Sequence, residues 1–171
     1  MSRIWNSIGL AVLMAALLVG TGAAQDTTEI SGDVTQTYEI SAHPADNTAF
    51  GLDPSATQPV THTGTLSVNA NTAWTVTASA DSGTGHTKGY MSKYSSSAYV
   101  EPEVKLASNM QIKSTDTGYT DYADLTSDQA VATGSGAESG ITVTFGQNVA
   151  WNDAHLGGSD VYRIVVTFTI A

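Results

Sequence analysis

The sequence contains no cysteine among its 171 residues. This absence excludes disulfide scaffolds, thiolate metal sites, cysteine nucleophiles and lipoprotein anchoring through a cysteine. Cationic side chains are also scarce, since six Lys and Arg stand against sixteen Asp and Glu, for a formal charge of −10 at pH 7. A chain this acidic repels phosphate backbones, which argues against nucleic-acid binding.

A hydrophobic run long enough to span a membrane is absent as well. The apolar stretch at residues 8–19 has 12 residues, whereas a spanning helix needs about 20. Arg3 precedes this stretch, and the small residues Gly22, Ala23 and Ala24 follow it, which is the order found in a secretory signal peptide. We therefore predict a signal peptide over residues 1–24 and a secreted or cell-surface protein. A retained N-terminal anchor is the alternative.

Helical periodicity is missing from the rest of the chain, where apolar residues alternate with polar ones. Thr, Val, Ile and aromatic residues at alternating positions predict an all-β fold. About seven to nine strands separated by long loops are typical of an immunoglobulin-like or jelly-roll β-sandwich. We predict one such domain over residues 42–171, preceded by an N-terminal strand within residues 25–41.

Individual strands are predicted where the alternation is clearest. Residues 63–69 and 72–79, with a turn at 69–71 between them, predict a hairpin. Further strands are predicted at 104–106, 110–112, 141–145 with a continuation toward 151, and 162–170, and polar loops at 81–98 and 114–140. We expect the core to depend on large aromatic residues, namely Trp74, Phe145, Trp151, Tyr162 and Phe168.

Motifs that carry catalysis do not stand out. The four histidines, His43, His62, His86 and His155, show neither HExxH nor facial-triad spacing. A Gly-x-Ser-x-Gly elbow is absent, and the pattern offers no helix on which to build one. We therefore expect that the protein is not an enzyme.

A cluster of aspartates lies in the second polar loop, at Asp116, Asp121, Asp124 and Asp128. Calcium prefers several hard oxygen ligands, so Asp116, Asp121 and Asp124 are a candidate calcium site. The spacing does not follow the EF-hand pattern. The alternative is a solvated acidic loop that contributes to solubility.

Tyrosines are frequent in the first polar loop. Tyr90, Tyr94 and Tyr99, with Trp151 elsewhere in the chain, are candidates for an aromatic platform that stacks on polysaccharide. The alternative is that these rings pack over the ends of the sandwich and make local hydrogen bonds.

Two segments of the chain carry a family resemblance. Residues 64–79 combine a strand, an Asn-rich turn and a strand led by Trp74, and residues 158–170 combine a Gly turn with a terminal strand led by Tyr162. Together they resemble small exported β-sandwich proteins of archaea and bacteria, including subunits of archaeal bundling pili and TasA-like biofilm fibres. The resemblance implies donor-strand exchange, in which an N-terminal strand of one subunit completes the sheet of the next.

The residues themselves support the same mechanism. Apolar side chains at Ile30, Val34, Tyr38 and Ile40 alternate with polar ones between residues 28 and 41, as a strand that fills an acceptor groove requires. A head-to-tail contact of this kind yields a filament, a homopolymer of the chain. The alternatives are a strand that pairs within its own domain and a monomeric secreted module that binds carbohydrate or calcium.

Overall fold

The computed structural model describes residues 29–45 and 51–171. The chain divides into two units, Met1–Val34 and Thr35–Ala171. The described part of the first unit, residues 29–34, forms no strand. The predicted signal peptide at residues 1–24 lies outside the described residues, as do the first residues of the predicted N-terminal strand.

The second unit is built from strands that pair antiparallel in every ladder described. The described residues contain no helix, so the prediction of an all-β fold is confirmed, and none of them belongs to a helical segment of membrane-spanning length and hydropathy. The strands are β1 (Tyr38–Ala42), β2 (Val60–Ala70), β3 (Ala73–Ala80), β4 (Ser92–Ser95), β5 (Ala98–Tyr99), β6 (Met110–Ser114), β7 (Ala123–Asp124), β8 (Gln129–Ser135), β9 (Glu138–Gln147), β10 (Val161–Arg163) and β11 (Val166–Ile170).

Three sheets share these strands, in an arrangement consistent with a β-sandwich. The largest has the order β1-β2-β9-β6-β7, and the two smaller ones have the orders β11-β3-β8 and β10-β4-β5. One apolar cluster takes side chains from both the five-stranded sheet and the β11-β3-β8 sheet, including Leu66, Val68, Ile112 and Val143 from the first and Trp74, Val76, Ala78 and Val131 from the second. The core therefore lies between these two sheets.

The predicted hairpin of residues 63–79 is wrong, because β2 and β3 belong to different sheets. β2 pairs with β1 and β9, whereas β3 pairs with β8 and β11. The turn after Ala70 instead carries the chain from one layer to the other, so Leu66 and Trp74 enter the same core from opposite sides. Alternation of apolar residues is the same for a strand pair within a sheet and for an arch between sheets, which is why the pattern did not distinguish them.

Both predicted loops contain strands. Within 81–98, Ser96 and Ser97 take positive φ angles of 49° and 68° and connect β4 to β5, in a turn that usually carries Asn or Gly. Within 114–140, β8 carries a bulge opposite Val76 and Thr77, so the adjacent residues Val131 and Ala132 are both buried. The bulge breaks the period of two, and for this reason the sequence pattern does not reveal the strand.

The strand predicted at residues 104–106 is only an isolated bridge in the structure, from Lys105 to Ser92.

The two tryptophans of the domain have opposite environments. Trp74 is 3% exposed, and its Nε1 donates to the carbonyl oxygen of Gly136 at 2.7 Å. Trp151 is 80% exposed, so its predicted place in the core is wrong. Phe145, Tyr162 and Phe168 pack against the core but are only half-buried.

Gly134 makes room for the buried indole. A Cβ atom placed on Gly134 would lie 2.5 Å from Cζ2 of Trp74, which is closer than real Cβ atoms approach. We expect Gly134→Ala to lower the free energy of unfolding by about 1–3 kcal/mol, the usual cost of overpacking a core. Urea denaturation followed by tryptophan fluorescence measures the loss. Gly157→Ala is the matched control, since nothing lies within 4 Å of that position, and an equal loss in both variants would contradict the packing argument.

Candidate functional site

The first unit exposes the two apolar residues that were predicted to fill an acceptor groove. Ile30 is 91% exposed and Val34 is 80% exposed, and residues 29–37 form no strand. The predicted strand over 28–41 is therefore shorter in the structure, where it begins at Tyr38. Isolated apolar side chains on a surface are ordinary, but here two of them follow a strand pattern in a segment without a strand partner.

Asn71 holds the three residues that precede β1. Its Nδ2 donates to the carbonyl oxygen of Thr35 at 2.8 Å, and its Oδ1 accepts from the backbone N–H of Thr37 at 2.8 Å. The backbone N–H of Asn71 in turn donates to the carbonyl oxygen of Thr37 at 3.1 Å. Gln36 adds a hydrogen bond from its Nε2 to the hydroxyl of Thr72 at 3.1 Å. The second unit therefore fixes the backbone from Thr35 onward.

β1 pairs within its own domain, along the outer side of β2. Its register places Tyr38 opposite Ala70 and Ile40 opposite Val68. Ile40 packs against the core, whereas Tyr38 is 41% exposed. The four predicted donor residues are therefore split: Tyr38 and Ile40 lie in a strand of their own sheet, and Ile30 and Val34 lie in the segment that forms no strand.

Along the outer edge of β11, the backbone hydrogen-bonding groups take part in no ladder among the described residues. Ala171 and Thr75 exchange both backbone hydrogen bonds, at 2.8 and 3.1 Å. Because bonded and non-bonded pairs alternate in an antiparallel ladder, Thr167 and Thr169 also direct their N–H and C=O groups toward β3. Val166, Phe168 and Ile170 direct theirs away from it, and within the described residues β11 has no strand on that side.

The same strand covers the core incompletely. Its inward side chains, Val166, Phe168 and Ile170, are half-buried, whereas the inward residues of neighbouring β3 are buried. The Phe168 ring meets Phe145 of β9 edge-on, with ring centroids 6.4 Å apart. One margin of the sandwich therefore presents a row of half-exposed apolar side chains beside a row of unpaired backbone groups.

The predicted aromatic platform is divided among several packing contacts. His86 stacks on Tyr99 with centroids 3.9 Å apart, and Tyr94 meets Tyr99 edge-on at 5.2 Å. Arg163 covers the face of Tyr94 at 4.3 Å, and Lys105 lies 4.2 Å from the centre of the Tyr90 ring. Neighbouring side chains occupy faces of all three tyrosines, which is the local packing that was the alternative to sugar stacking.

Burial and a nearby carboxylate change the ionisation of this cluster. Desolvation, together with the charge of Asp81, raises the pKa of Tyr99 to about 12. Asp81 accepts from the Tyr99 hydroxyl at 3.4 Å and lies 3.2 Å from Nε2 of His86. Its other oxygen accepts from the backbone N–H of Val165 at 3.1 Å. Asp81 therefore connects the tyrosine cluster to the chain between β10 and β11.

Trp151 is displayed by a turn that Asp153 closes. Asp153 accepts from the backbone N–H groups of Ala107 and Ala150, each at 2.8 Å, and its own N–H donates to the carbonyl oxygen of Ala150 at 3.0 Å. The indole therefore projects from a fixed backbone.

The structure does not bring the predicted calcium ligands together. Asp116 accepts backbone hydrogen bonds from Thr117 and Thr133, and Asp124 accepts from Gln111. Asp121 is exposed. Among residues 29–45 and 51–171, no group of three or more His, Asp or Glu side chains is placed to hold a metal ion.

Asp128, the fourth acidic residue of that loop, forms an ion pair instead. Lys88 lies 2.6 Å from its carboxylate, and the hydrogen bonds from Lys88 and Ser79 lower its pKa. The histidines are equally dispersed. His86 belongs to the tyrosine cluster, whereas His43 bonds locally to Pro44 and His155 is exposed. His62 lies in β2.

Sequence reasoning missed β11 as a candidate interaction surface. Alternation identified its inward face, but the free side of a strand depends on which strands pair with it. That order was hidden by the arch between β2 and β3 and by the bulge in β8. No protein-family model matches the chain, and no curated protein matches it either.

Glu103 fastens the loop before β4. It accepts from the backbone N–H of Thr87 at 2.6 Å, from the Thr87 hydroxyl at 2.7 Å and from the Ser92 hydroxyl at 2.8 Å. Burial alone would raise the pKa of this carboxyl, but these hydrogen bonds and the charge of Lys105 outweigh it and hold the pKa below its ordinary value.

Because the folded pKa of Glu103 is depressed, the carboxylate stabilises the fold above its unfolded pKa of about 4.3. We expect this stabilisation to disappear as the pH falls through the folded pKa. Glu103→Gln should lower the melting temperature at pH 7 and flatten its decline below about pH 4.3. Thermal unfolding followed by circular dichroism from pH 7 to pH 2.5 measures both effects. The exposed Glu101 provides the control variant, Glu101→Gln, and a matching change there would contradict the assignment.

Proposed function

We propose that the protein is an exported structural subunit that assembles into an extracellular or cell-surface filament through its N-terminal segment. The observation that carries this proposal is the exposure of Ile30 and Val34 in a segment that has a strand pattern but no strand. An extended segment of this kind gains backbone hydrogen bonds and buries alternate side chains when it pairs with a foreign sheet edge. A contact of this kind is heterologous and does not close on itself, so it propagates.

The hydrogen bonds from Asn71 to residues 35–37 explain how a subunit would keep its fold while its N-terminal segment pairs with a neighbour. Asn71 and the β1–β2 ladder secure the chain from Thr35 to Ala42. The predicted cleavage after Ala24 leaves residues 25–34 ahead of this anchor, a segment of about 33 Å when fully extended. That length spans several residues of a neighbouring strand without disturbing β1.

The negative charge is consistent with a surface role. The formal charge of −10 disfavours non-specific association of exposed strand edges. Edge pairing is then limited to segments with the correct alternation.

Deletion of residues 25–34 from the mature chain should abolish filaments and leave a folded monomer. The domain should keep its melting temperature, because no ladder among the described residues uses residues 29–34. Negative-stain electron microscopy and analytical ultracentrifugation of the purified mature protein measure assembly.

A substitution pair sharpens this test. Ile30→Ser combined with Val34→Ser should block assembly, whereas Ser31→Ala combined with Asp33→Ala, on the alternate face, should preserve it. If the mature protein forms no filaments under any condition tested, or if the truncated chain polymerises as well as the mature chain, the proposal fails.

A second candidate function rests on Trp151. An indole that is 80% exposed on a turn closed by Asp153 offers a flat apolar face to a sugar ring. In this reading the domain binds a polysaccharide, either as a monomer or within the filament.

Trp151→Ala should then weaken binding to polysaccharide by at least tenfold, because a stacked aromatic ring contributes strongly to such contacts. Affinity electrophoresis through gels that contain single purified polysaccharides measures this effect. Tyr119→Ala serves as an aromatic control outside that turn. Equal retardation of all three proteins would contradict a role for Trp151.

A further inference from the structure

We propose that the outer edge of β11 is the acceptor, and that its occupant is the segment 29–34 of a second copy of this chain. This inference rests on the proposed function and adds to it the receiving surface and the register. Three observations carry it: the unpaired backbone groups of β11, the half-buried side chains beside them, and the alternation in the segment that would cover both.

The backbone of β11 is already arranged to receive a strand. Val166, Phe168 and Ile170 direct their N–H and C=O groups outward, as the hydrogen-bonded pair of Ala171 with Thr75 requires. The edge continues past Val166, because the carbonyl oxygen of Val165 still pairs with the N–H of Asp81 on the β3 side. An added strand therefore finds a straight run of donors and acceptors.

The described residues cover the inward side chains of β11 only in part. Val166, Phe168 and Ile170 point into the margin of the core and stay half-buried. In residues 29–34 the even positions carry Ile30, Gly32 and Val34. Paired with β11, these positions share the inward face, so Ile30 and Val34 leave water and extend the core by one strand.

An antiparallel register fits the sizes of the side chains. With Ile30 opposite Ile170, Val34 lies opposite Val166 and Gly32 lies opposite Phe168. The residue without a side chain then faces the largest ring on the edge, which leaves room for that ring to lie across the strand. All ladders among the described residues are antiparallel as well.

The outer edge of β1 is the competing acceptor, and it is the poorer one. The Asn71 N–H bonds to the Thr37 carbonyl, so Glu39 and Asn69 are the next hydrogen-bonded pair of the β1–β2 ladder. Before the irregularity that follows Ile40, Tyr38 and Ile40 are therefore the two residues of β1 that direct backbone groups outward. β1 comes within 8 Å of β11, measured between Cα atoms, but forms no ladder with it. The incoming strand would thus lie along the margin where the two sheets approach each other.

Cysteine cross-linking tests the register, because the chain has no cysteine of its own. A mature chain that carries Val34→Cys and Val166→Cys should form an intermolecular disulfide ladder under mild oxidation, since Cα atoms of a bonded antiparallel pair lie about 5.5 Å apart, within disulfide range. Non-reducing gel electrophoresis should show dimers, trimers and larger species that collapse to monomer on reduction.

Two control pairs define the alternatives. Val34→Cys with Thr167→Cys places the thiols on opposite faces and should give less than one tenth of the ladder. Val34→Cys with Tyr38→Cys reports the edge of β1. A ladder from the Tyr38 pair without one from the Val166 pair would overturn the β11 assignment and leave filament assembly through the tail intact.

A proline substitution tests the same edge without a cross-link. Val166→Pro removes an N–H that points away from β3 and belongs to no ladder among the described residues, and edge strands tolerate proline at such positions. This variant should keep the circular dichroism spectrum of the mature protein but form no filaments. Thr167→Pro removes an N–H that bonds to β3 and should unfold the domain. That result would verify that Thr167, and not Val166, directs its N–H toward β3. Normal filaments from a folded Val166→Pro protein would overturn the inference, and if that variant fails to fold, the cross-linking result decides.

Discussion

Among the described residues, β11 pairs with a strand on one side only, and its other side coincides with a margin where the apolar side chains are incompletely buried. The unpaired side of β11 and the incompletely buried margin both follow from the strand order β11-β3-β8. Among the described residues β3 is the one strand paired with β11, and a strand added on the other side would also bury Val166, Phe168 and Ile170. Unpaired edges favour association, so the order of three strands determines where the molecule is able to add another.

The exposed segment and the open edge are complementary in the same chain. The segment alternates apolar and polar residues but forms no strand, and β11 is paired with a strand on one side only among the described residues. Neither property depends on a catalytic residue, a metal ligand or a pocket. The proposed structural role therefore rests on an exposed strand edge and partly covered apolar side chains, which are general properties of sheets, rather than on any special side-chain chemistry.

Alternation along the chain was enough to predict the all-β fold and the inward faces of β9 and β11, because the period of two is a local property. It did not predict which strands share a sheet. The short connection after Ala70 crosses between layers, and the same residues would have suited a hairpin. β8 was missed because its bulge buries Val131 and Ala132 side by side, and β4 and β5 were missed because their turn uses Ser96 and Ser97. Trp151 was misplaced because hydrophobicity alone does not distinguish a buried indole from a displayed one. At the candidate site, the sequence identified Ile30 and Val34 but not their limit at Thr35, since that limit depends on the distant side chain of Asn71.

The hold of Asn71 on residues 35–37 has a mechanical consequence. In the proposed filament, a pull on the N-terminal segment would reach the domain first at Thr35, where the Asn71 amide holds the backbone ahead of the β1–β2 ladder. Asn71 lies in the connection between β2 and β3, so part of that load would pass to both layers and not to β1 alone. In the proposed filament, a single amide side chain would thus divide the load between the edge strand and the connection between the layers.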